Sequence, residues 1–583
     1  MSIQANFPAL KPSLVLDFQN TKQLDPRITF TRASTASYYD GVTTSKAEEN
    51  QLTYSNEIST ARWVGAGVST TINNSTSPDG TTTATLLTAS AGADSKIRLT
   101  TTQAVSTTHT FSVYAKAGAT SWLRLRNIGS NDCSGWFNLT TGVVGTVSGG
   151  TSAITSVGSG WYRCSITSTS ASSIANNLLD MGAPSGDNTQ ASAGGETISV
   201  WGVQLEARSS VTALTVTTTQ AITNYIPKLQ SAASGVARFD NNPTTGESLG
   251  LLIEESRTNL LTYSSQFDNA AWTKARSTIT ADTVVSPDGT LNGDKLVEDT
   301  TASNSHIIYQ GYTITAGNPY LFSMYAKAAE RTKISITFDN VVFAFDLGAG
   351  TTASSNATIT AVGNSWYRIN CLRPTITTAS SFVFISLADS SGATSYTGNG
   401  FSGLFIWGAQ LEAGAFATSY IPTVASQVTR AADAASMTGT NFSTWYNAAE
   451  GTIYSEINNQ NQGIDRRWAY LYDGSNGLFG SRLSSGNLYV LTAQETSGTS
   501  RSVNGATITS TSVKVANAYK VNDLASSQNG SSAYTGSIWS PISATSFVIG
   551  SFTTGGQVVN NCIKKIAYYP IRLSNTNLVA LTS

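Results

Sequence analysis

The sequence predicts an all-β protein built from tandem antiparallel β-sandwiches. Three observations carry this: period-2 alternation of apolar and polar residues, turn residues between the alternating runs, and a long internal repeat. Asn50-Gln51-Leu52-Thr53-Tyr54-Ser55 recurs as Asn259-Leu260-Leu261-Thr262-Tyr263-Ser264, and Ser77-Pro78-Asp79-Gly80 recurs as Ser286-Pro287-Asp288-Gly289, both 209 residues on. In the same order, Phe111 to Ala117 matches Phe322 to Ala328, Phe137-Asn138-Leu139 matches Phe345-Asp346-Leu347, and Trp161-Tyr162-Arg163 matches Trp366-Tyr367-Arg368. Trp201 to Ala207 matches Trp407 to Ala413, Tyr225-Ile226-Pro227 answers Tyr420-Ile421-Pro422, and Trp63 answers Trp272. The chain therefore holds two copies of one module, followed by an unrelated segment.

Taken in order, residues 1–48 form a framework or anchor segment and 49–228 the first module. There Ile97-Arg98-Leu99, Phe111 to Ala115 and Leu123-Arg124-Leu125-Arg126 alternate as half-buried strands do. Residues 229–258 are a framework linker, and 259–438 the second module, where Ile334, Ile336 and Phe338 alternate with Lys333, Ser335 and Thr337. Residues 439–583 have a different strand logic: Glu450 to Glu456, Arg467 to Tyr472, Tyr519 to Asp523, a turn at Gln528-Asn529-Gly530, Phe547 to Gly550, and Ile563 to Pro570. They read as a second kind of sandwich. Pro-Asp-Gly and Asn-Gly turns favour antiparallel pairing, and no rung-length repeat of a β-helix is visible.

Composition excludes much. Net charge is −1 and charged residues are 12% of the chain, about half the usual share, so no field recruits nucleic acid or an anionic membrane. With 20 Phe, 23 Tyr and 11 Trp the cores are well supplied. No apolar run approaches the ~18 residues of a membrane span, and Met1 to Pro12 lacks a signal-peptide core, so synthesis in a cytoplasm without export is expected. Cys133, Cys164, Cys371 and Cys562 form no CxxC pair, and His109 and His306 are the only histidines. A disulfide framework, a zinc site and histidine catalysis are disfavoured. Whether Cys133 and Cys164 meet is not legible.

Leu16-Asp17-Phe18, Leu24 to Ser34, Gly250 to Leu261, Trp407 to Gly414, Ser419 to Thr423 and Val428 to Asp433 together resemble a family of tailed-bacteriophage virion proteins, tail fibres or head fibres and spikes. The resemblance covers nearly the whole chain. It implies two modules like the jelly rolls of carbohydrate-binding modules and a terminal domain like concanavalin A or laminin G. In that family Phe30-Thr31-Arg32-Ala33-Ser34 runs soon into Ala-Arg-Phe-Asp. Here Ala237-Arg238-Phe239-Asp240 comes some two hundred residues later. The first module is thus expected to be a copy spliced into an exposed loop, with 1–48 and 229–258 packing together.

A glycoside hydrolase needs two carboxylates about 5.5 Å apart, or 6.5–9.5 Å for inversion. Glu450 and Glu456 flank a strand, and Asp465 and Asp473 bracket another, but no Glu-x-Asp-x-x-Glu cluster, Walker loop, His-Glu-x-x-His or Gly-x-Ser-x-Gly is present. No enzymatic activity, cofactor or metal is expected. Sugar sites combine aromatic platforms with polar rims. Trp122, Arg124 and Arg126, opposite Leu123 and Leu125, form the best glycan candidate, with packing or plain solvation as the competing reading. Trp468, Tyr470 and Tyr472 are taken to share one strand face, as a groove floor or as core. The tryptophans repeated in both copies read as core, Asp79 and Asp288 as turn residues rather than calcium ligands, Glu254, Glu255 and Arg257 as framework pairs, and His109 as a surface residue.

The expected role is a virion structural protein, made in the host cytoplasm and displayed on the particle as a tail-fibre adhesin contacting host-surface glycans multivalently. A head-fibre or capsid decoration protein, anchored by 1–48, and a polysaccharide depolymerase are the alternatives. Its partners would be other virion proteins and further copies of itself, a trimer by family habit, with neither nucleic acid nor membrane insertion.

Overall fold

The computed structural model describes residues 11–583 apart from 60, 93, 130–131, 170–176, 459–465, 474–476, 484–487, 495–499, 508–509, 511, 538–542 and 552–556. Among them the helices are short, Phe18–Thr21, Thr440–Ser443 and Asn575–Thr582, and antiparallel strands make the rest of the regular structure.

Each repeat is a two-sheet sandwich. In the first, a six-stranded sheet runs in the order Val143–Ser148, Cys133–Asn138, Trp122–Ile128, Asn177–Gly182, Lys96–Thr101, Val64–Ala66. It faces a second six-stranded sheet containing Thr108–Ala117 between Trp161–Thr169 and Thr197–Glu206. The second copy keeps this plan with five strands (Thr273–Ala275, Ile307–Thr313, Ser380–Ala388, Lys333–Phe338, Val341–Asp346) against six. Period-2 patterning sorts most of the strand: Ile334, Ile336 and Phe338 are buried between the sheets and Lys333 and Thr337 are half-buried, whereas Ser335, of the same polar set, is buried as well. The repeated tryptophans, Trp63 and Trp272, Trp161 and Trp366, Trp201 and Trp407, are all buried.

The terminal sandwich gathers strands from the whole chain. Leu14–Asp17 pairs with residues 565–568 of the strand Asn561–Tyr569, and Thr29–Thr31 pairs with residues 434–436. Arg238–Asn241 and Ser248–Ile253 join the sheet of Asn561–Tyr569, and Ala434–Thr438 joins the opposite one. The sequence-based divisions shift accordingly. Residues 14–31 of the segment 1–48 are woven into this domain while 36–48 leave it, 229–258 supplies two of its strands, and 434–438 belongs to it rather than to the second module. The reason is burial: Leu14, Leu16, Phe18, Leu251 and Ile253 complete an apolar face that the strands of 439–583 leave open.

Ala36–Asn50 and Ile222–Ala232 form a two-stranded ribbon, with Ile222 opposite Asn50 and Ala232 opposite Ala36. The first sandwich is thus carried at the far end of this ribbon. The ribbon lies on the second sandwich, where Tyr39, Ala47, Ile226 and Leu229 pack with Trp366, Trp407 and Tyr420. Lys327 donates to Glu48 at 2.7 Å and Asn364 to the same carboxylate at 2.8 Å.

Where ribbon, second sandwich and terminal sandwich meet, five charged side chains are buried together. Asp433 accepts from Arg32 at 3.0 Å and from Arg238 at 2.6 Å. Arg238 also meets Glu254 at 2.8 Å, and Arg430 approaches Glu254 at 3.6 Å. Burial raises the Glu254 carboxyl, but Arg430, Arg238 and Ser419 outweigh it and bring it down to about 2. Of the framework pairs expected among Glu254, Glu255 and Arg257, the structure makes Arg257 with Glu255, at 2.5 Å, while Glu254 pairs with Arg238 instead.

Candidate functional site

The face first singled out lies in the first module, and the structure covers it. Arg124 and Arg126 do share a face, but Arg124 is 1% exposed, donating to Asp94 at 2.8 Å. Burial pulls its guanidinium below the ordinary value, with Asp94 opposing. Arg126 is half-buried; it reaches Gln190 at 3.4 Å and approaches Asp180, the carboxylate that accepts from Arg98 at 2.6 and 2.7 Å. The loop over residues 183–192 covers this network: Trp136 donates to Thr189 O at 2.7 Å and Thr120 to Pro184 O at 3.0 Å. Trp122 is half-buried beside it. The outward-facing expectation for Arg124 is corrected. A strand's alternation tells which residues share a face, not whether a loop returns over it.

The second terminal-domain candidate is corrected as well. Trp468, Tyr470 and Tyr472 do not share a face. The pairing of Arg466–Tyr472 with Gly477–Leu483 is irregular between Arg467 and Tyr470, a bulge that turns Trp468 into the same core as Ala469 and Leu471. Trp468 donates to Ser455 at 2.8 Å, Tyr470 is fully buried beside Arg467, and Tyr472 is half-buried at the strand end.

The first-module face has a counterpart in the second copy with different chemistry. Asp180 stands opposite Arg98 and Arg126; at the matching register Phe384 stands opposite Tyr309 and Thr337. An ionic network in one copy is an aromatic cluster in the other. The Tyr309 and Phe382 rings meet edge to face at 5.2 Å, Tyr309 and Phe384 lie 5.3 Å apart, and Phe382 and Phe384 are 5.9 Å apart. Phe382 is 45% exposed, and Tyr309 and Phe384 are half-buried. Beside Phe382 lies a groove of about 490 Å³, walled by Thr313, Ser380, Ser381, Gln427 and Leu260. A Cβ at Gly311 would stand 3.3 Å from the Phe382 ring, so a larger residue there obliges the ring to shift by a few tenths of an ångström. An apolar platform beside hydroxyl and amide groups, with no charge on its walls, suits a neutral ligand that has both C–H faces and hydroxyls.

Sequence reasoning missed this cluster, though a signal existed. Phe382-Val383-Phe384-Ile385 is apolar on both faces, which is out of place in an antiparallel strand with one solvated side.

The remaining candidates resolve simply. Asp79 accepts from Ser77 at 2.6 Å and from the Thr81 amide at 3.0 Å; Asp288 accepts from Ser286 and Thr290 in the same way, so both carboxylates close turns. Glu450 and Glu456 lie at the two ends of a strand stretch six residues apart, roughly 20 Å along it, far beyond a hydrolase pair. Asp465 lies outside the described residues. His109 is 1% exposed rather than on the surface, and burial lowers its imidazole. All four cysteines are free and buried. Among the described residues no group of three or more His, Cys, Asp or Glu is placed to hold a metal, and no helix is long and apolar enough to cross a membrane.

No protein-family profile matches the chain, and no curated protein matches it. Among solved structures it is similar to the N-terminal CBM22-1–CBM22-2 tandem domain of Xyn10C from Paenibacillus barcinonensis, at 13% identity over 63% of this chain and 98% of that one, TM-score 0.19. Domains LG4-5 of the mouse laminin alpha1 chain align at 8% identity over 47% and 90%, TM-score 0.18. Trypanosoma rangeli sialidase, in complex with 2,3-difluorosialic acid, aligns at 10% identity over 96% and 99%, TM-score 0.22. At these values the alignments transfer no residue role and no activity to this chain.

Proposed function

We propose that this protein is a non-enzymatic, glycan-binding adhesin of a bacteriophage particle, displayed as a tail fibre. The observation that carries the binding reading is the Tyr309–Phe382–Phe384 cluster, which leaves a phenylalanine ring in water beside a groove walled by hydroxyls and an amide. Leaving such a ring exposed forgoes part of the roughly 1.5–3 kcal/mol that burial would return, and a ligand stacked on it recovers that. The phage placement draws its support from the sequence resemblance. Single-site affinity is weak in this reading, and several copies on one particle make contact effective.

The test uses the purified full chain against purified bacterial surface polysaccharides, with Phe382→Ala and Tyr309→Ala as variants. Saturable binding that weakens at least tenfold in Phe382→Ala, about 1.4 kcal/mol, is expected. Binding unchanged in both variants refutes the site, and release of oligosaccharides refutes the non-enzymatic reading. Labelled antibody imaged on intact particles by electron microscopy tests the tail placement, and analytical ultracentrifugation tests the trimer.

A further inference from the structure

A bulge in the ribbon presents Glu48 to the second sandwich. Lys46 pairs with Tyr225 and Glu49 with Thr223, so Ala47 and Glu48 together stand against Asn224 alone. Both are buried. The Glu48 carboxylate accepts from Lys327 Nζ on Oε1 at 2.7 Å and from Asn364 Nδ2 on Oε2 at 2.8 Å. An amine and a primary amide thus meet on the two oxygens of one carboxylate.

The surroundings are apolar. Lys327 stands between Trp366 and Phe405 on the neighbouring strands, both buried, and its own side chain is 12% exposed against 4% for Glu48. Burial raises the Glu48 carboxyl, but Lys327 and Asn364 outweigh it and hold it below its ordinary value, so it is a carboxylate at neutral pH. The turn carrying Asn364 is pinned too, because Pro227 of the ribbon closes on Gly363 so tightly that a Cβ there would collide with the proline ring. The internal repeat supplies the contrast. Lys116 is the first copy's counterpart of Lys327, opposite Trp161 as Lys327 is opposite Trp366. At the Asn364 position the first copy has Ser159, which carries no acyl group. The amide stands in the copy that receives Glu48.

We infer that Lys327 and Asn364 join in an intramolecular isopeptide bond, with Glu48 as the proton relay. Glu48 takes a proton from the Lys327 ammonium and leaves a neutral amine. Nζ then attacks Asn364 Cγ: the Nζ–Cγ bond forms as the carbonyl π pair moves to Oδ1, and that pair returns as the Cγ–Nδ2 bond breaks. Glu48 passes the first proton to the leaving Nδ2, relays a second from Nζ to the departing ammonia, and ends as a carboxylate. The products are one secondary amide and one ammonium ion, so charge is conserved and no oxidant, reductant or further reactant enters. The flexible lysine stem lets Nζ close to the ~3–3.5 Å that attack needs. Holding both groups on one carboxylate replaces a chance encounter, an advantage equivalent to roughly 10⁵–10⁸ M in well-oriented systems. The link closes residues 327–364 into a covalent ring beneath the ribbon that carries the first sandwich. It turns over no substrate and does not depend on the Phe382 face.

The test is mass spectrometry of the purified full chain, intact and after trypsin, following prolonged incubation at neutral pH. The expected chain is lighter than its sequence by one ammonia, uncleaved at Lys327, with peptide 296–331 joined to peptide 334–368. Lys327→Arg keeps the cation but supplies no amine, and Asn364→Ser carries the first copy's residue; each should abolish the joined peptide and the ammonia loss. Glu48→Gln should slow the joining at least about a hundredfold. Wild-type peptides 296–327 and 334–368 recovered separate, at full mass, overturn the inference. So does ammonia loss located elsewhere, as at Asn529-Gly530, or a loss of water that joins Lys327 to Glu48. Joining at an unchanged rate in Glu48→Gln overturns the relay.

Discussion

Replacing Arg238 by alanine should destabilise the terminal sandwich by about 3–5 kcal/mol, the range for breaking a buried ion pair from one side. Arg238 is fully buried and spans Asp433 at 2.6 Å and Glu254 at 2.8 Å, so the variant strands two buried carboxylates with reduced compensation. The depression of Glu254 from 4.5 to about 2 bounds its electrostatic stabilisation at about 3 kcal/mol, shared between Arg430 and Arg238. The sign follows from linkage. A depressed carboxyl stabilises the fold above its unfolded pKa, and that contribution is lost as pH falls through the folded value. In Arg238→Ala the contribution is smaller and its loss is complete at a higher pH, so wild type and variant differ most near neutrality and converge towards pH 2. Urea titration with hydrogen exchange read on peptides covering residues 14–17 and 434–438 reports this domain directly, without assuming that the whole chain unfolds in one step. Arg27→Ala, breaking the half-exposed pair with Asp25 at 2.7 Å, is the control and should cost under about 1 kcal/mol. A loss below 1 kcal/mol in Arg238→Ala, or equal losses in both variants, would refute the reasoning.

Arg124→Ala should lower first-module stability by at least 2 kcal/mol in urea unfolding while leaving polysaccharide binding unaltered, since the side chain is buried on Asp94. Trp468→Phe, which drops the 2.8 Å bond to Ser455, should cost about 1–2 kcal/mol by the same assay and likewise spare binding. Burial pushes the Asp294 carboxyl up to about 6, so the folded state holds its proton more tightly than the unfolded chain and stability falls as pH rises through that range. Between pH 4.5 and 7 this amounts to about 2 kcal/mol, seen as a difference in pH slope from Asp294→Thr, which carries the first copy's residue at this position. Burial raises all four thiols, Cys133 to about 11, so a thiol reagent at pH 8 should label none of them in native protein and all four in urea.

Short-range order was legible in the sequence. Alternation in Ile334, Ile336 and Phe338 specifies which side chains face inward, because successive strand residues point to opposite faces. The Ser-Pro-Asp-Gly turns were legible for the same local reason, since the Asp carboxylate meets an amide two residues on. The twofold repeat established that one architecture occurs twice. What the tertiary structure decided is what meets each outward face. The pairing of Leu14–Asp17 with residues 565–568 spans almost the entire chain, and no local pattern encodes so distant a partner. A returning loop buried Arg124, and a one-residue bulge moved Trp468 into the core, because both depend on backbone geometry rather than residue type. The same holds for the site proposed here: Phe382 is exposed only because of what the second copy places, or omits, across space from it.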